Sequence, residues 1–377
     1  MTLTSNRKLE HIDIVRRGGV EPERSTLLEY VRIVHRSLPE VDLDGIDLSV
    51  EFCGHELGAP LIITGMTGGH PDAEPINAAI AKAAEKFNIA MGVGSQRAAL
   101  EDPSLIHTFS VVRERAPHAF IVANLGGAQL VKGYGVKEAL KAIEMIRADA
   151  IAIHLNVGQE LFQDEGDTRF EGILQIAGEL VDELAVPVIV KEVGTGLSAE
   201  DVSLLRSIGV KCFDVAGLGG TNWIKIETLR SRAKHGYPLR DPGSIAEQWG
   251  NPTAVSIVEA RSAAPDAYII GSGGLRDGLD VAKAIALGAD IGGFAAPALR
   301  ALSSGQEGLE RYLADVLYQL KSVLVMTGAR RPHDLWSASV TVWGELMEEL
   351  KVRNVDVTSY LNSRVMTLLW RRRSSGI

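Results

Sequence analysis

Short, continuous apolar segments recur along the middle of the chain, and each leads into glycine or polar residues and then an amphipathic stretch. The eight segments begin at Ala59, Ile89, Phe120, Ala150, Pro187, Lys211, Ala267 and Ile291. Apolar segments without alternation are typical of strands in a parallel sheet that is covered on both faces. Eight strands alternating with helices predict an α/β fold, the (β/α)8 TIM barrel. A doubly wound open sheet is the alternative, but the chain has no early GxGxxG fingerprint to support it.

Helical signals fill the stretches between these strands. Residues 76–84 are rich in alanine, and residues 137–147 have apolar positions at helical spacing. Ser198 has the hydroxyl that an N-terminal helix cap needs, and a further helix is expected to begin near Asp277. The helices therefore fall where a barrel requires them.

Three stretches do not follow this alternation of strands and helices, and they divide the chain into segments. Residues 1–58 precede the first strand and predict a cap with helical and extended parts, ahead of a catalytic barrel at 59–329. The polar stretch near 221–252 is too long for an ordinary connection, so it predicts a lid or a disordered loop over the barrel mouth. Residues 330–377 predict a C-terminal helical extension, and its basic end at 371–373 is interpreted as a solvated tail.

Composition and charge narrow the class of protein. Of the 377 residues, 46% are hydrophobic and 23% are charged, which suits a large packed core. The formal net charge of -9 argues against a general nucleic-acid binder, although local Arg and Lys side chains can still bind a small anion. We find neither a signal peptide nor an apolar segment of the ~20 residues that a membrane span needs, so we expect a cytoplasmic protein. Cys53 and Cys212 have no metal-site spacing and are expected to be free thiols.

Polar residues gather at the predicted strand ends, where TIM barrels place their active sites. The fourth strand runs directly into four of them: His154, Asn156, Gln159 and Glu160. The other strand ends contribute residues 65–69, 95–97, 124, 191, 219–221, 272–276 and 295–296. Because polar groups are costly to bury without partners, one shared pocket at this rim is the simplest interpretation.

The end of the seventh strand has the pattern of a phosphate site. Gly273 and Gly274 leave backbone N–H groups open to an anion, next to the expected start of a helix. Arg276 adds a cation, and barrels often bind phosphate at this location. Lys191 lies inside an apolar strand where its neighbour Glu192 must face the other side, so we expect Lys191 to face a cofactor or to act in catalysis.

Glu160 is the candidate metal ligand. Asp164 follows it by four residues, but this spacing leaves a metal site and a solvated loop carboxylate equally open. Seven histidines show no ligand spacing and are expected on loops or the surface: His35, His55, His70, His107, His118, His235 and His333.

A longer ordered set of motifs runs along almost the whole chain, at residues 7–12, 66–69, 94–97, 123–126, 154–156, 159–160, 191–194, 219–223, 249–253 and 272–276. Any one of these motifs is common in unrelated proteins. Together they resemble the type 2 isopentenyl-diphosphate isomerases, a family of flavin-dependent barrels.

The resemblance implies FMN at the barrel mouth, with Mg²⁺, and assigns a role to each motif. FMN would be contacted by Thr64, Gly65, Met66, Thr67, Ser95, Asn124, Lys191 and Thr221, and its phosphate by Gly273, Gly274, Leu275, Arg276, Ala295 and Ala296. The substrate would be contacted by Arg7, Lys8, His11, Ser95, Gln96, Arg97 and Gln159. Glu160 would bind the metal, and the catalytic set would be Gln159, Lys191, His154 and Asn156.

The implied reaction interconverts isopentenyl and dimethylallyl diphosphate by a 1,3-allylic proton shift in isoprenoid biosynthesis. Because an alkene is a weak base, the reaction needs a strong, well-placed acid, and reduced FMN would give and take the proton at N5. Lys191 would stabilise the anionic reduced ring, while cationic side chains and Mg²⁺ would bind the diphosphate. The resemblance further implies NADPH as the reductant and a homo-oligomer of four or eight subunits, with no nucleic-acid or membrane partner.

Three other functions fit the residues less well. An FMN-dependent 2-hydroxy-acid oxidase needs a His base and an Arg after the sixth strand, where this chain has Gly-Gly-Thr-Asn-Trp at 219–223. An inosine-monophosphate dehydrogenase-like enzyme needs a nucleophilic Cys after that strand, but Cys212 lies at its start. A non-enzymatic flavin- or phosphate-binding module would leave Gln159 and Glu160 without a task.

Overall fold

A computed structural model describes the backbone of residues 3–364 and the side chains from Arg7 onward. Its strands are β1 (Val31–Ile33), β2 (Val50–Phe52), β3 (His55–Leu57), β4 (Leu61–Ile63), β5 (Ala90–Gly92), β6 (Ile121–Gly126), β7 (Ala150–His154), β8 (Val188–Lys191), β9 (Cys212–Asp214), β10 (Tyr268–Ser272), β11 (Ile291–Phe294) and β12 (Val340–Val342). Its helices are α1 (Leu3–Arg17), α2 (Glu74–Phe87), α3 (Arg97–Glu101), α4 (His107–Arg115), α5 (Gly127–Leu130), α6 (Val136–Ile146), α7 (Val157–Phe162), α8 (Ile173–Glu183), α9 (Ala199–Ser207), α10 (Trp223–His235), α11 (Ile245–Gln248), α12 (Thr253–Ala263), α13 (Gly278–Leu287), α14 (Ala296–Ala301), α15 (Gly305–Thr327) and α16 (Gly344–Val352).

Strands β4 to β11 close into a parallel barrel, in chain order, with β11 paired to β4. Each barrel strand coincides with one of the eight apolar segments of the sequence, and helices follow the strands around the outside. This confirms the predicted (β/α)8 fold. The register places His154 beside Lys191 and Lys191 beside Asp214, so the ends of β7, β8 and β9 stand side by side.

The two faces of each barrel strand pack into different apolar layers. Along β7, Ala150 and Ala152 belong to a cluster that fills the barrel interior. Ile151 and Ile153, which point the other way, belong to the layer between the barrel and its helices. Because both faces are buried, both need apolar side chains, which explains the unbroken apolar pattern of the sequence.

The segment before the first barrel strand covers both ends of the barrel. At one end, the β2–β3 hairpin inserts Phe52 into the interior cluster, where it packs edge-on against Phe120 and Tyr268. At the other end, α1 places Arg7 and Lys8 over the strand ends that form the pocket described below. The predicted cap is therefore accompanied by a hairpin that closes the opposite end.

The polar stretch near 221–252 is mostly helical, so of its two predicted alternatives the disordered loop was wrong, and the lid stays a prediction. Helix α10 spans thirteen residues of it, and α11 adds a short turn at Ile245–Gln248. Asn222 caps α10 by accepting a hydrogen bond from the Lys225 backbone N–H at 3.1 Å. The buried face of α10 carries Glu227 and Arg230 among its isoleucines, which is why the segment has the composition of a loop.

The chain after residue 329 is not purely helical. Helix α16 agrees with the predicted extension, but β12 precedes it and pairs antiparallel with β1 from the N-terminal segment. The register joins Val31 to Val342, a contact between residues more than three hundred positions apart. The basic tail at 371–373 lies outside the described residues.

The same arginine–aspartate arrangement occurs at two places in the barrel. Arg113 Nη2 pairs with Asp149 at 2.6 Å, and Arg261 Nη2 pairs with Asp290 at 2.7 Å. In both cases Nη1 of the arginine donates to the carbonyls three, four and six residues later. The segments read RERAPHAFI at 113–121 and RSAAPDAYI at 261–269. This internal repeat relates β6–β7 to β10–β11 and places Asn124 and Ser272 at equivalent positions, three residues after the final isoleucine.

Two expectations drawn from composition can be compared with the structure. Cys53 and Cys212 are free thiols, and burial raises the pKa of the Cys212 thiol. Between residues 3 and 364, none of the helices has the length and apolar character to cross a membrane.

Candidate active site

One large pocket opens at the carboxyl ends of the barrel strands. It contains about 1580 Å³ of empty space, its open mouth included. Helix α1 and the N-terminal turn of α10 form part of its wall, beside the strand ends.

The pocket brings together every residue that the sequence singled out as a site residue, with one exception. The predicted residues that line it are Arg7, Lys8, His11, Thr64, Gly65, Met66, Thr67, Ser95, Arg97, Asn124, His154, Asn156, Gln159, Glu160, Lys191, Thr221, Gly273, Gly274, Leu275, Arg276, Ala295 and Ala296. Gln96 is the exception.

Gln96 does not face the pocket, which corrects its expected contact with the substrate. Its side chain is fully buried, and Nε2 donates to the Ala142 carbonyl on α6 at 2.8 Å. Its Oε1 accepts from the Asn124 backbone N–H at 2.9 Å. Ser95 and Arg97 line the pocket on either side of it, so Gln96 points to the opposite side of the chain. Its observed role is to hold the end of β6 in place.

The loop after β10 is shaped by glycine. Gly273 and Gly274 have φ of 98° and 83°, values that L side chains rarely adopt. A Cβ at Gly273 would lie 2.2 Å from the Gly217 carbonyl oxygen, so the loop must pack directly on its neighbour. The Arg276 guanidinium donates to the Gly274 and Gly219 carbonyls at 2.8 and 3.2 Å. The loop therefore has a defined backbone shape, and Asp277 caps the start of α13 beside it.

Lys191 forms part of the pocket floor. Its Nζ donates to the Glu192 carbonyl oxygen at 2.5 Å and lies 3.9 Å from Asp214 Oδ2. The Glu192 carboxylate is engaged elsewhere, because it accepts backbone N–H groups of the loop at 193–196. As the strand geometry predicted, Lys191 does not pair with the Glu192 carboxylate. No sequence motif had pointed to Asp214 as a partner of Lys191.

His154 and Asn124 form a fixed pair beside Lys191. The Asn124 amide donates to the Val93 carbonyl at 2.9 Å, which turns its oxygen toward His154 Nδ1 at 2.7 Å. Nδ1 therefore carries the proton and donates to Asn124. Burial, reinforced by the charges of Lys191 and Lys8, lowers the pKa of His154 to about 3. The imidazole is neutral at physiological pH.

Glu227 joins three parts of the site and was missed by the sequence analysis. This fully buried carboxylate of α10 lies 2.9 Å from His11 Nε2 on α1 and 2.7 Å from Arg230 Nε. It also accepts from Gln159 Nε2 on α7 at 2.9 Å. Burial alone would raise the pKa of Glu227, but His11, Arg230 and the Gln159 amide together lower it to about 2. Glu227 is thus a permanent anion that ties α1 to the barrel.

Glu160 sits in a small amide network. Asn156 Nδ2 donates to Glu160 Oε1 at 3.0 Å and lies 3.1 Å from Gln159 Oε1, while the Asp167 N–H donates to Glu160 Oε2 at 2.8 Å. Among the described residues, no group of three or more His, Cys, Asp or Glu side chains is arranged to hold a metal ion. A metal here would have to take most of its ligands from substrate and water.

The α1 side of the pocket is cationic. Arg7, Lys8 and Arg97 all line it, and Arg97 is partly neutralised by Glu101 at 2.7 Å. Burial, together with the charges of Arg7 and Arg97, lowers the pKa of Lys8 to about 8. Three cations in one wall repel one another, so this wall favours a multiply charged anion.

The barrel side of the pocket fits a flavin nucleotide. Thr67 is 2% exposed and lines the pocket, and its Oγ1 finds no partner among the described side chains and backbone. A buried hydroxyl without a partner costs free energy that a ligand can recover. Lys191 supplies a cation to the floor, and the glycine loop and the N-terminal end of α13 offer a place for a phosphate.

Comparison with known proteins gives a consistent result. A family model described as FMN-dependent dehydrogenase matches residues 173–342. An isopentenyl-diphosphate delta-isomerase of Aeropyrum pernix is 56% identical over 98% of each chain. Those of Ignicoccus hospitalis and Methanosarcina barkeri are 49% and 44% identical over at least 92% of this chain.

The chain belongs to the isopentenyl-diphosphate delta-isomerase family.

Solved structures extend the comparison of fold beyond the isomerase family. A lactate oxidase of Pediococcus acidilactici superposes with a TM-score of 0.65 over 90% of this chain and 93% of that chain, at 16% identity. A mandelate oxidase in complex with benzaldehyde gives 0.60 over 90% of this chain and 98% of that chain, also at 16% identity. At this identity the likeness establishes the shared barrel fold and does not extend to the reaction.

We predict that Glu227→Gln loosens the cap of this isomerase-family barrel. The substitution keeps the size of the side chain but leaves Arg230 and His11 without their buried anion, at a cost of about 3–5 kcal/mol. Because the pKa of Glu227 is lowered to about 2, this stabilisation is present above about pH 4.5 and is lost as the pH falls toward 2. Urea unfolding and hydrogen exchange in α1 measure the two effects.

Glu165→Gln is the matched control, because Glu165 pairs with the same Arg230 at 2.6 Å but is 43% exposed. An exposed partner contributes less than about 1 kcal/mol. Equal losses for the two variants, or unchanged exchange in α1 of Glu227→Gln, would contradict the role given to Glu227.

Proposed function

We propose that this protein interconverts isopentenyl diphosphate and dimethylallyl diphosphate by a 1,3-allylic proton shift, as a type 2 isomerase with reduced FMN and Mg²⁺. The observation that carries the proposal is a single pocket with two unlike walls. One wall combines Lys191 with the glycine loop after β10, and the facing wall gathers Arg7, Lys8 and Arg97. A flavin and a diphosphate each find a complementary surface there.

FMN is placed on the barrel side of the pocket. The residues assigned to it are Thr64, Gly65, Met66, Thr67, Ser95, Asn124, Lys191 and Thr221, with Gly273, Gly274, Leu275, Arg276, Ala295 and Ala296 at its phosphate. When bound and reduced, FMN supplies an acid–base centre at N5 that matches a proton shift. Lys191 is assigned to stabilise negative charge on the ring.

The polar side chains of the site orient the substrate and supply no strong acid. His154 is neutral, because the pKa of its imidazole is about 3, and it is already committed to Asn124. Gln159 is held by Glu227 and Asn156, which aims its amide and leaves it without an ionisable proton. We therefore assign His154, Asn156 and Gln159 to positioning the alkene and excluding water, while the proton comes from the cofactor side.

The diphosphate is assigned to the cationic wall. Arg7, Lys8 and Arg97 supply positive charge, and the buried Arg7 Nε finds no partner among the described residues. His11 lies in the same wall, held by Glu227. Glu160 is assigned as the protein ligand of Mg²⁺, which is commonly bound by one or two carboxylates together with substrate phosphates and water.

Three finer points complete the proposal. NADPH is assigned as the reductant of the flavin, and the protein is placed in the cytoplasm. A homo-oligomer of four or eight subunits is also proposed, since large apolar side chains remain exposed near the C-terminal side: Tyr318 is 62% exposed, Met326 45% and Val352 82%. Such exposure is a feature of interaction surfaces.

A 2-hydroxy-acid oxidase is the competing function on this fold. Such an oxidase needs a histidine base and an arginine for the substrate carboxylate after the sixth barrel strand. At that position the pocket has Thr221 and Trp223, and neither can do that task. Arg7 and Lys8 lie instead on α1, and Arg97 follows β5 at the start of α3.

The direct test is an assay of the purified protein with isopentenyl diphosphate, FMN, Mg²⁺ and either dithionite or NADPH, with product analysis by NMR. We expect dimethylallyl diphosphate to form with reduced FMN, and conversion to stop when FMN or Mg²⁺ is removed. Conversion that persists without FMN would reject the flavin mechanism, and oxidation of lactate or mandelate without isomerisation would favour the competing function.

We also predict that diphosphate binding depends on the charge of Lys8. The pKa of Lys8 is lowered to about 8 in the free protein, so its ammonium is present below pH 8 and is lost as the pH rises through 8. A charged hydrogen bond contributes about 1.5–3 kcal/mol, so affinity for inorganic diphosphate should fall about tenfold to thirtyfold by about pH 9.5. Calorimetric titration with inorganic diphosphate between pH 6.5 and 9.5 measures this affinity.

Lys8→Met should flatten this pH dependence, and comparing the two proteins cancels the ionisation of the diphosphate itself. Lys86→Met is the control, because Lys86 pairs with Glu310 on the surface at 2.5 Å. A Lys8→Met protein with the same pH profile as the wild type would remove Lys8 from the diphosphate site.

A further inference from the structure

A second, smaller cavity lies in the barrel interior directly beneath the pocket floor. It has about 280 Å³ of empty space, and its wall is mostly apolar, with Ile62, Val122, Ile189 and Ile270. Thr64, Gly65, Asn124 and Lys191 line both this cavity and the main pocket. Within residues 3–364, the ionisable side chains that line it are Lys191 and Asp214. Lys191 and Asp214 thus share a small apolar cavity beneath the pocket floor.

Asp214 is held from two sides. It stands beside Lys191 in the barrel register, and its Oδ2 lies 3.9 Å from Lys191 Nζ. Its Oδ1 accepts the hydroxyl hydrogen bond of Ser272, the last residue of β10. Asp214 is only 2% exposed, and burial raises the pKa of its carboxyl while the charge of Lys191 opposes that rise. The Lys191 ammonium therefore favours the charged form of Asp214, and the carboxylate in turn attracts the ammonium to a fixed place.

Asp214 does not reach the main pocket, whereas its two partners do. Lys191 and Ser272 both line the pocket, and Asp214 lies one layer below them. Glu192 directly follows Lys191 in the chain, but its carboxylate accepts hydrogen bonds from backbone N–H groups of the loop at 193–196. Asp214 is thus the carboxylate available to Lys191 inside the barrel.

We propose that Asp214 is a positioning residue: it fixes the place of the Lys191 ammonium at the pocket floor, and through Ser272 it fixes the adjacent end of β10. The inference rests on the flavin placement proposed above. Asp214 acts on the bound flavin through Lys191, and its own negative charge is screened from the ring by that ammonium.

Asp214 could act on the flavin through Lys191, or its carboxylate could act on the ring directly. The sign of the change in flavin reduction potential distinguishes these two roles. If Asp214 acts through Lys191, Asp214→Asn frees the ammonium from its fixed place at the floor, and the potential shifts to more negative values, as in Lys191→Met. If the carboxylate acts directly on the ring, its removal makes the site more positive and the potential shifts to more positive values. Spectroelectrochemical titration of the reconstituted proteins measures the potential.

A double variant that combines Asp214→Asn with Lys191→Met completes the test. We expect Asp214→Asn to weaken FMN binding about tenfold in the wild-type background and less than about twofold in Lys191→Met, because coupled residues are not additive. A positive shift of the potential, or equal effects of Asp214→Asn in both backgrounds, would overturn the proposal. So would an Asp214→Asn protein that folds but loses FMN while Lys191→Met retains it.

Asp149→Asn is the matched control, since Asp149 pairs with Arg113 at 2.6 Å on the helix side of the barrel. It should lower the midpoint of thermal unfolding and leave the flavin potential unchanged. The flavin potential and FMN binding can both be measured without turnover. Failure of the isomerase assay alone would therefore reject the proposed function and leave the role of Asp214 intact.

Discussion

A charge that is removed from water needs an opposite charge or several hydrogen bonds, and this requirement organises the mouth of the barrel. Glu227 satisfies it by gathering His11, Arg230 and Gln159 from three different elements. Asp214 satisfies it with Lys191 and Ser272 one layer lower. Helix α1, the Gln159 amide and the Lys191 side chain of the pocket floor therefore hold their positions through two buried carboxylates.

These carboxylates also explain why the two walls of the pocket differ. With Glu227 committed to His11 and Arg230, the three cations Arg7, Lys8 and Arg97 keep a surplus of positive charge on the α1 side. On the barrel side, Lys191 is matched by Asp214, the Arg276 guanidinium donates to the Gly274 and Gly219 carbonyls, and the other groups assigned to the flavin are uncharged. One wall thus favours a multiply charged anion, and the other favours a polar, largely neutral ring system with one anionic edge.

Much of this arrangement could be predicted from the sequence, because parallel strands that are buried on both faces must be apolar throughout and end at a common rim. Other features have no local signal. Helix α10 looks polar because its buried face carries Glu227 and Arg230, so charge pairing across the structure replaces apolar periodicity. Gln96 lies between two pocket residues, and only the direction of its side chain reveals that it faces α6. The pairing of β1 with β12 joins distant segments that nothing in either sequence connects.

We propose that one pocket holds a flavin on the barrel side and a diphosphate under α1. The most direct measurement is a crystal structure of the protein with reduced FMN, Mg²⁺ and isopentenyl diphosphate. We expect the flavin ring over Lys191 and the diphosphate between Arg7 and Arg97. Diphosphate bound at the glycine loop after β10, or a flavin ring far from Lys191, would contradict it.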